Sequence, residues 1–148
     1  SRKPVMNYWV QDNSNNLISF AIPAHLFKTF VDQATKEVQA SDLKVLRITT
    51  KHILQDTESA LPLIKEDSVV VAFIFNLTLE SHEAASYLRK QLTKEALKLS
   101  GNVYLTFSHE IDQTQMKIFY PSLDYFLMKK REYDPEELFS SQFFENLK

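Results

Sequence analysis

Val69-Val70-Val71-Ala72-Phe73-Ile74-Phe75 is apolar at every position. A strand covered by protein on one face alternates apolar and polar residues, so an unbroken run predicts a strand covered on both faces and therefore central in its sheet. The run is far too short to span a bilayer, which takes about 20 residues.

Downstream, Ser81 reads as a helix N-cap and Glu83 adds negative charge to the first turn, with Ala85, Leu88, Leu92, Ala96 and Leu99 as the buried stripe. Gly101, the single glycine of the chain, falls where a left-handed C-terminal cap is expected. Upstream, Asp56, Glu58, Pro62, Glu66 and Asp67 break any period, and residues 51–67 read as a long connection that function could use. Before it, Leu43, Val45 and Arg47 alternate against Leu46 and Ile48, which predicts a strand over 43–50. Pro23 suits a first helical position, and Leu26, Phe27, Phe30, Val31, Ala34 and Val38 follow at helical spacing. Tyr8–Val10 and Leu17–Ile22 flank the polar Gln11-Asp12-Asn13-Ser14-Asn15-Asn16, so residues 7–22 read as a hairpin, with residues 1–6 flexible.

Toward the C-terminus, Val103–Phe107 and Met116–Tyr120, joined through Asp112-Gln113-Thr114-Gln115, read as a second hairpin that Pro121 ends. Leu123, Phe126 and Leu127 predict a short helix, and Asp134-Pro135-Glu136-Glu137 a helix start. The expected fold is α+β: one domain over residues 1–148, a mostly antiparallel sheet, two long amphipathic helices and further C-terminal helices. Gln33-Ala34-Thr35-Lys36-Glu37 and Gln91-Leu92-Thr93-Lys94-Glu95 lie at matching places in the two halves, which suggests a duplicated strand-helix-strand unit.

With one glycine and no cysteine in 148 residues, many chemistries are closed. Phosphate-wrapping loops, dinucleotide fingerprints and the glycine-flanked nucleophile elbow need more glycines, and thiol catalysis, disulfides and thiolate metal sites need cysteine. A formal charge of −2 gives no global attraction to nucleic acid. A cysteine-free chain fits more than one compartment, the cytoplasm being the default; Ser1-Arg2-Lys3-Pro4 looks like a cut edge.

His82 beside Glu83 and His109 beside Glu110, with Asp112 near, are raw material for a general base, as in a small hydrolase. Neighbours in sequence point in different directions on a helix or strand, so neither pair orients itself. His25, His52, His82 and His109 are too dispersed for a zinc motif, and Asp56, Glu58, Glu66 and Asp67 match no calcium loop, so no metal and no cofactor is expected. Lys90, Lys94 and Lys98 line one side of a helix and are the candidate anion-binding face, for nucleic acid, although Glu95 interrupts them. Tyr104 and Phe107 with Lys117 invite comparison with an RNA-binding sheet, whose signature glycines are absent. Asn76-Leu77-Thr78 fits a glycosylation sequon inside a strand. Phe139, Phe143, Phe144 and Leu147 concentrate apolar bulk on a terminal helix, the kind of face a partner or a second copy covers. The expectation is a non-catalytic protein-interaction module, a subunit or assembly factor of a larger complex. A nucleic-acid-associated domain and a His/carboxylate enzyme are the alternatives, with small-ligand binding in an apolar pocket behind them.

Overall fold

A computed structural model describes residues 14–104 and 111–145. Strand β1 (Ser14–Pro23) leads through a 3-10 turn at Ala24–Leu26 into helix α1 (Phe27–Ala40), then β2 (Val45–Ile53), β3 (Ser68–Leu77), α2 (His82–Lys98) and β4 (Asn102–Val103). Helices α3 (Gln113–Phe119), α4 (Leu123–Tyr133) and α5 (Gln142–Glu145) follow. The sheet has the order β2-β3-β1-β4 and is antiparallel throughout. Strand-helix-strand occurs twice, and the second unit lays β3 and β4 on either side of β1, a split βαβ arrangement of the ferredoxin-like kind. The fold is α+β, as the sequence predicts.

The apolar run is central: β3 lies between β2 and β1 and pairs with β1 over ten residues, from Ser14 opposite Leu77 to Pro23 opposite Ser68. Its faces are unequal, however. Val71, Phe73, Phe75 and Leu77 are buried, whereas Val70, Ala72, Ile74 and Asn76 are half-buried. Helices α1 and α2 pack side by side on the first face, with Phe30 of α1 reaching Phe20 at 5.8 Å and Phe73 at 6.5 Å between ring centroids. An unbroken apolar run does not distinguish a fully covered second face from a partly covered one.

Local chemistry explains most departures from the sequence reading. Ser14, Asn15 and Asn16 continue β1 rather than turning, and Tyr8–Val10 lies outside the described residues. Pro23 ends β1 and caps the 3-10 turn, so α1 proper starts four residues later. The second hairpin is replaced by a helix over Gln113–Phe119: the Asp112 side chain accepts from the Gln115 amide at 2.8 Å and the Gln115 side chain accepts from the Asp112 amide. This reciprocal capping box nucleates helix where the sequence pattern predicts a turn. Asp134 starts no helix either. Its carboxylate accepts from the amides of Leu138 and Phe139 and pairs with Lys130, while Glu137 adopts a left-handed φ of 53°, which closes a turn.

Ser100, not Gly101, is the left-handed residue after α2, with φ of 54°. The Gly101 amide bonds Ala96 O at 2.8 Å and the Ser100 amide bonds Leu97 O at 3.1 Å, a Schellman closure. Gly101 is needed for closeness instead: a Cβ there would lie 2.7 Å from Ile22 Cδ1 and 2.9 Å from Ala21 O.

The 51–67 connection is shorter than expected and tied down. β2 runs on to Ile53, and Asp56 N bonds Ile64 O at 2.8 Å across the loop base. Ile64 is buried, Leu61 and Leu63 pack on the core, and Asn102 Nδ2 holds Leu63 O at 2.9 Å. Amides of Glu58 and Ser59 donate to Asp56, and hydrogen bonds with Ser59 and Glu58 hold that carboxyl below its usual range.

Met116, Phe119, Tyr120 and Leu123 join the buried cluster formed by the sheet and its two helices. The Tyr120 hydroxyl donates to Val103 O at 2.7 Å, and burial, then the neighbouring Tyr104, pushes the phenol well above its ordinary pKa. A raised folded-state pKa means the contribution is complete below the unfolded value of about 10 and is lost as pH rises past it. Tyr120→Phe is expected to cost about 1–3 kcal/mol in urea unfolding at neutral pH, because Val103 O is left buried without its donor. An unchanged midpoint would show that water replaces the hydroxyl.

Candidate functional site

Among the described residues, two helices over four strands leave the β2 side of the sheet only partly covered. α2 packs on β1 and β4 and α1 on β1, so β2 receives little cover. The result is an apolar groove of about 460 Å³ between α1 and the β2 side of the sheet. Val31, Ala34 and Val38 of α1 form one wall, Ile48 of β2 the other, and Val71 and Phe73 of β3 the floor. The register explains the convergence: Ile48 stands opposite Phe73 and Thr50 opposite Val71, so all four side chains share the face that α1 covers. The groove opens to solvent, with Val31 38% and Ile48 53% exposed.

Beside the groove runs a strand edge. Among the described residues β2 pairs with β3 alone, and seven of its nine residues are exposed. Its outward amides and carbonyls are the groups to which a further strand bonds. A register shift between Val45 and Arg47 makes Leu46 the extra residue of a bulge, also exposed.

The residues singled out in the sequence are scattered relative to this site. Phe144 is buried and has Lys130 Nζ 4.9 Å from its ring centroid, whereas Phe139 and its neighbour Leu138 are exposed. α5 spans only Gln142–Glu145; the Phe143 side chain and Leu147 lie outside what the structure describes. Of the four, Phe139 and Phe144 alone have described side chains, one exposed and one buried. Lys90, Lys94 and Lys98 stand on α2 as expected, but Lys98 pairs with Glu95 at 2.6 Å. His82 and Glu83 occupy the first turn of α2, while His109 and Glu110 lie outside the described residues; Asp112 is engaged in its capping box. Ser81 makes no side-chain cap and instead accepts from Thr78 N at 2.8 Å. His25 approaches Glu66 at 3.7 Å on open surface. Lys117 sits on α3, 3.6 Å from Asp124. Tyr104 follows β4, its amide bonding Ser19 O at 2.9 Å, and Phe107 lies outside the described residues. Among the described residues no group of three His, Asp or Glu side chains is placed to hold a metal, and no helix is long and apolar enough to cross a membrane.

The groove has no local sequence signature because its lining comes from three segments, yet the sequence carries a trace of it. The stripe has five apolar positions on α1, Phe27, Phe30, Val31, Ala34 and Val38, of which only Phe30 and Ala34 are fully buried. Ile48 is likewise an apolar residue on an exposed strand. Apolar surface in excess of what a chain buries marks a binding face. Neither a scan against protein-family models nor a search of curated proteins finds a match for this chain.

Proposed function

We propose that the chain is a non-catalytic protein-binding module, a subunit or assembly factor of a larger complex, that docks its partner in the groove between α1 and β2 and along the β2 edge. One observation carries this reading: an apolar groove of about 460 Å³ lies directly against a strand edge that no further strand pairs among the described residues. Strand addition takes affinity from the backbone and specificity from side-chain pockets at alternate positions, and both are available side by side. The lysine face of α2 offers less to a nucleic acid, since Lys98 is engaged by Glu95.

Site-specific photocrosslinking tests the reading. Benzoylphenylalanine introduced at position 48 is expected to trap one discrete protein, and the same group at position 94 is not. The trapped protein, purified and mixed with the chain, is expected to bind at least about tenfold more weakly to Ile48→Asp, some 1.4 kcal/mol. Ile48 is half exposed, so this variant is expected to fold. Equal trapping from position 94, or an affinity that Ile48→Asp leaves unchanged, would refute the proposal.

A further inference from the structure

The two faces of β2 differ in chemistry, and the difference specifies what binds there. Ile48 and Thr50 face the groove, while Arg47, Thr49 and Lys51, opposite Ile74, Ala72 and Val70, stand on the other face of the sheet. From Leu43 to Gln55 the chain carries Lys44, Arg47, Lys51 and His52 and no carboxylate, although its formal charge is −2. These four side chains are exposed, and among the described residues neither Arg47 nor Lys51 has a carboxylate partner. The basic edge is a local departure from an acidic chain.

We propose that the β2 edge receives an extended segment of another protein in which apolar and acidic residues alternate. The segment joins the sheet as a further strand, its apolar side chains enter the groove beneath α1, and its carboxylates stand beside Arg47 and Lys51. This inference rests on the groove being a protein-docking surface. The period matches: successive side chains of a strand point to opposite faces, so one alternating sequence meets the apolar and the basic side together. Arg47 and Lys51 are ~13 Å apart along the strand, at ~3.3 Å per residue, which calls for carboxylates four residues apart.

A second copy is a poor occupant. Antiparallel pairing of two β2 strands about Thr49 would set Arg47 of each copy opposite Lys51 of the other, and like charges directly opposite are destabilising. Lysines on an edge strand discourage such self-pairing. The same charges attract an acidic strand.

The probes are labelled nine-residue peptides that match the length of β2, alternating valine with glutamate, with lysine or with serine. Their affinities for the full chain are read by fluorescence anisotropy. The glutamate peptide is expected to bind at least about tenfold more tightly than the lysine peptide, with the gap narrowing as salt rises from about 0.05 to about 0.5 M. Arg47→Glu combined with Lys51→Glu, both exposed positions, is expected to reverse the order. Equal affinity for all three peptides would overturn the charge assignment and leave the groove reading in place. Binding of none would overturn the inference, and crosslinking from position 48 would then decide the groove reading separately. Dimerisation of the free chain in light scattering that Arg47→Glu strengthens would give the edge to a second copy. Displacement of the glutamate peptide by a single-stranded oligonucleotide would give it to nucleic acid. Either result overturns the proposal.

Discussion

Phe30→Ala is expected to lower unfolding stability by about 3–5 kcal/mol, a fall in Tm on the order of 10 °C for a chain of this size. Phe30 is fully buried and is the ring through which α1 meets the sheet, in tilted contact with Phe20 and edge-on to Phe73. Removing it loses the transfer free energy of a large side chain and leaves a cavity between α1 and the sheet. The same change opens the floor of the groove, since Phe73 lines it. Ile48→Ala, on the opposite wall, is expected to change stability by less than about 1 kcal/mol because Ile48 is already half in water. Thermal melts of the two variants therefore separate a residue that holds the fold from one the fold does not need. Equal losses would mean that β2 and α1 close on each other in solution and that the groove is core.

Gly101→Ala is expected to cost about 3 kcal/mol, at the upper end of the range for overpacking a tight site. The added methyl meets Ile22 Cδ1 at 2.7 Å, Ala21 O at 2.9 Å and Ala96 O at 3.1 Å. Ile22 is fully buried, and the two carbonyls belong to β1 and α2, so no neighbour yields cheaply. The neighbouring position has the opposite sign. Ser100 holds a left-handed φ that glycine adopts without penalty, so Ser100→Gly is expected to stabilise by about 0.5–1 kcal/mol. Urea midpoints of both variants check the pair. A neutral Gly101→Ala with a destabilising Ser100→Gly would place the left-handed residue at 101 after all.

This reversal at Ser100 and Gly101 shows where the sequence was legible. Patterns with one dominant period are legible: the apolar run is the central strand, and Ala85, Leu88, Leu92 and Ala96 are the buried stripe of α2. Features that turn on which residue takes one backbone conformation are not. Glycine is the usual left-handed residue, so the sequence points to Gly101 for the role that Ser100 fills one position earlier. Asp112 and Gln115 spell a capping box, but the apolar residues after them alternate closely enough to resemble a strand. Asp134 has the composition of an N-cap, and the left-handed turn at Glu137 directs its carboxylate to Leu138 and Phe139. The groove is a tertiary feature. Its walls are 17 residues apart at Val31 and Ile48 and its floor lies a further strand away, so no local period records it. The excess of apolar residues on α1 over those it buries was the available signal.

The most direct measurement is amide hydrogen exchange along β2, with the chain free and then saturated with the glutamate-valine peptide. A docked strand bonds the outward amides of β2 and leaves the inward ones as they were. The prediction is slowed exchange at alternate residues between Arg47 and Ile53, with α2 unchanged. Exchange along β2 that the peptide leaves unaltered, or protection confined to the lysine face of α2, would contradict docking at this edge.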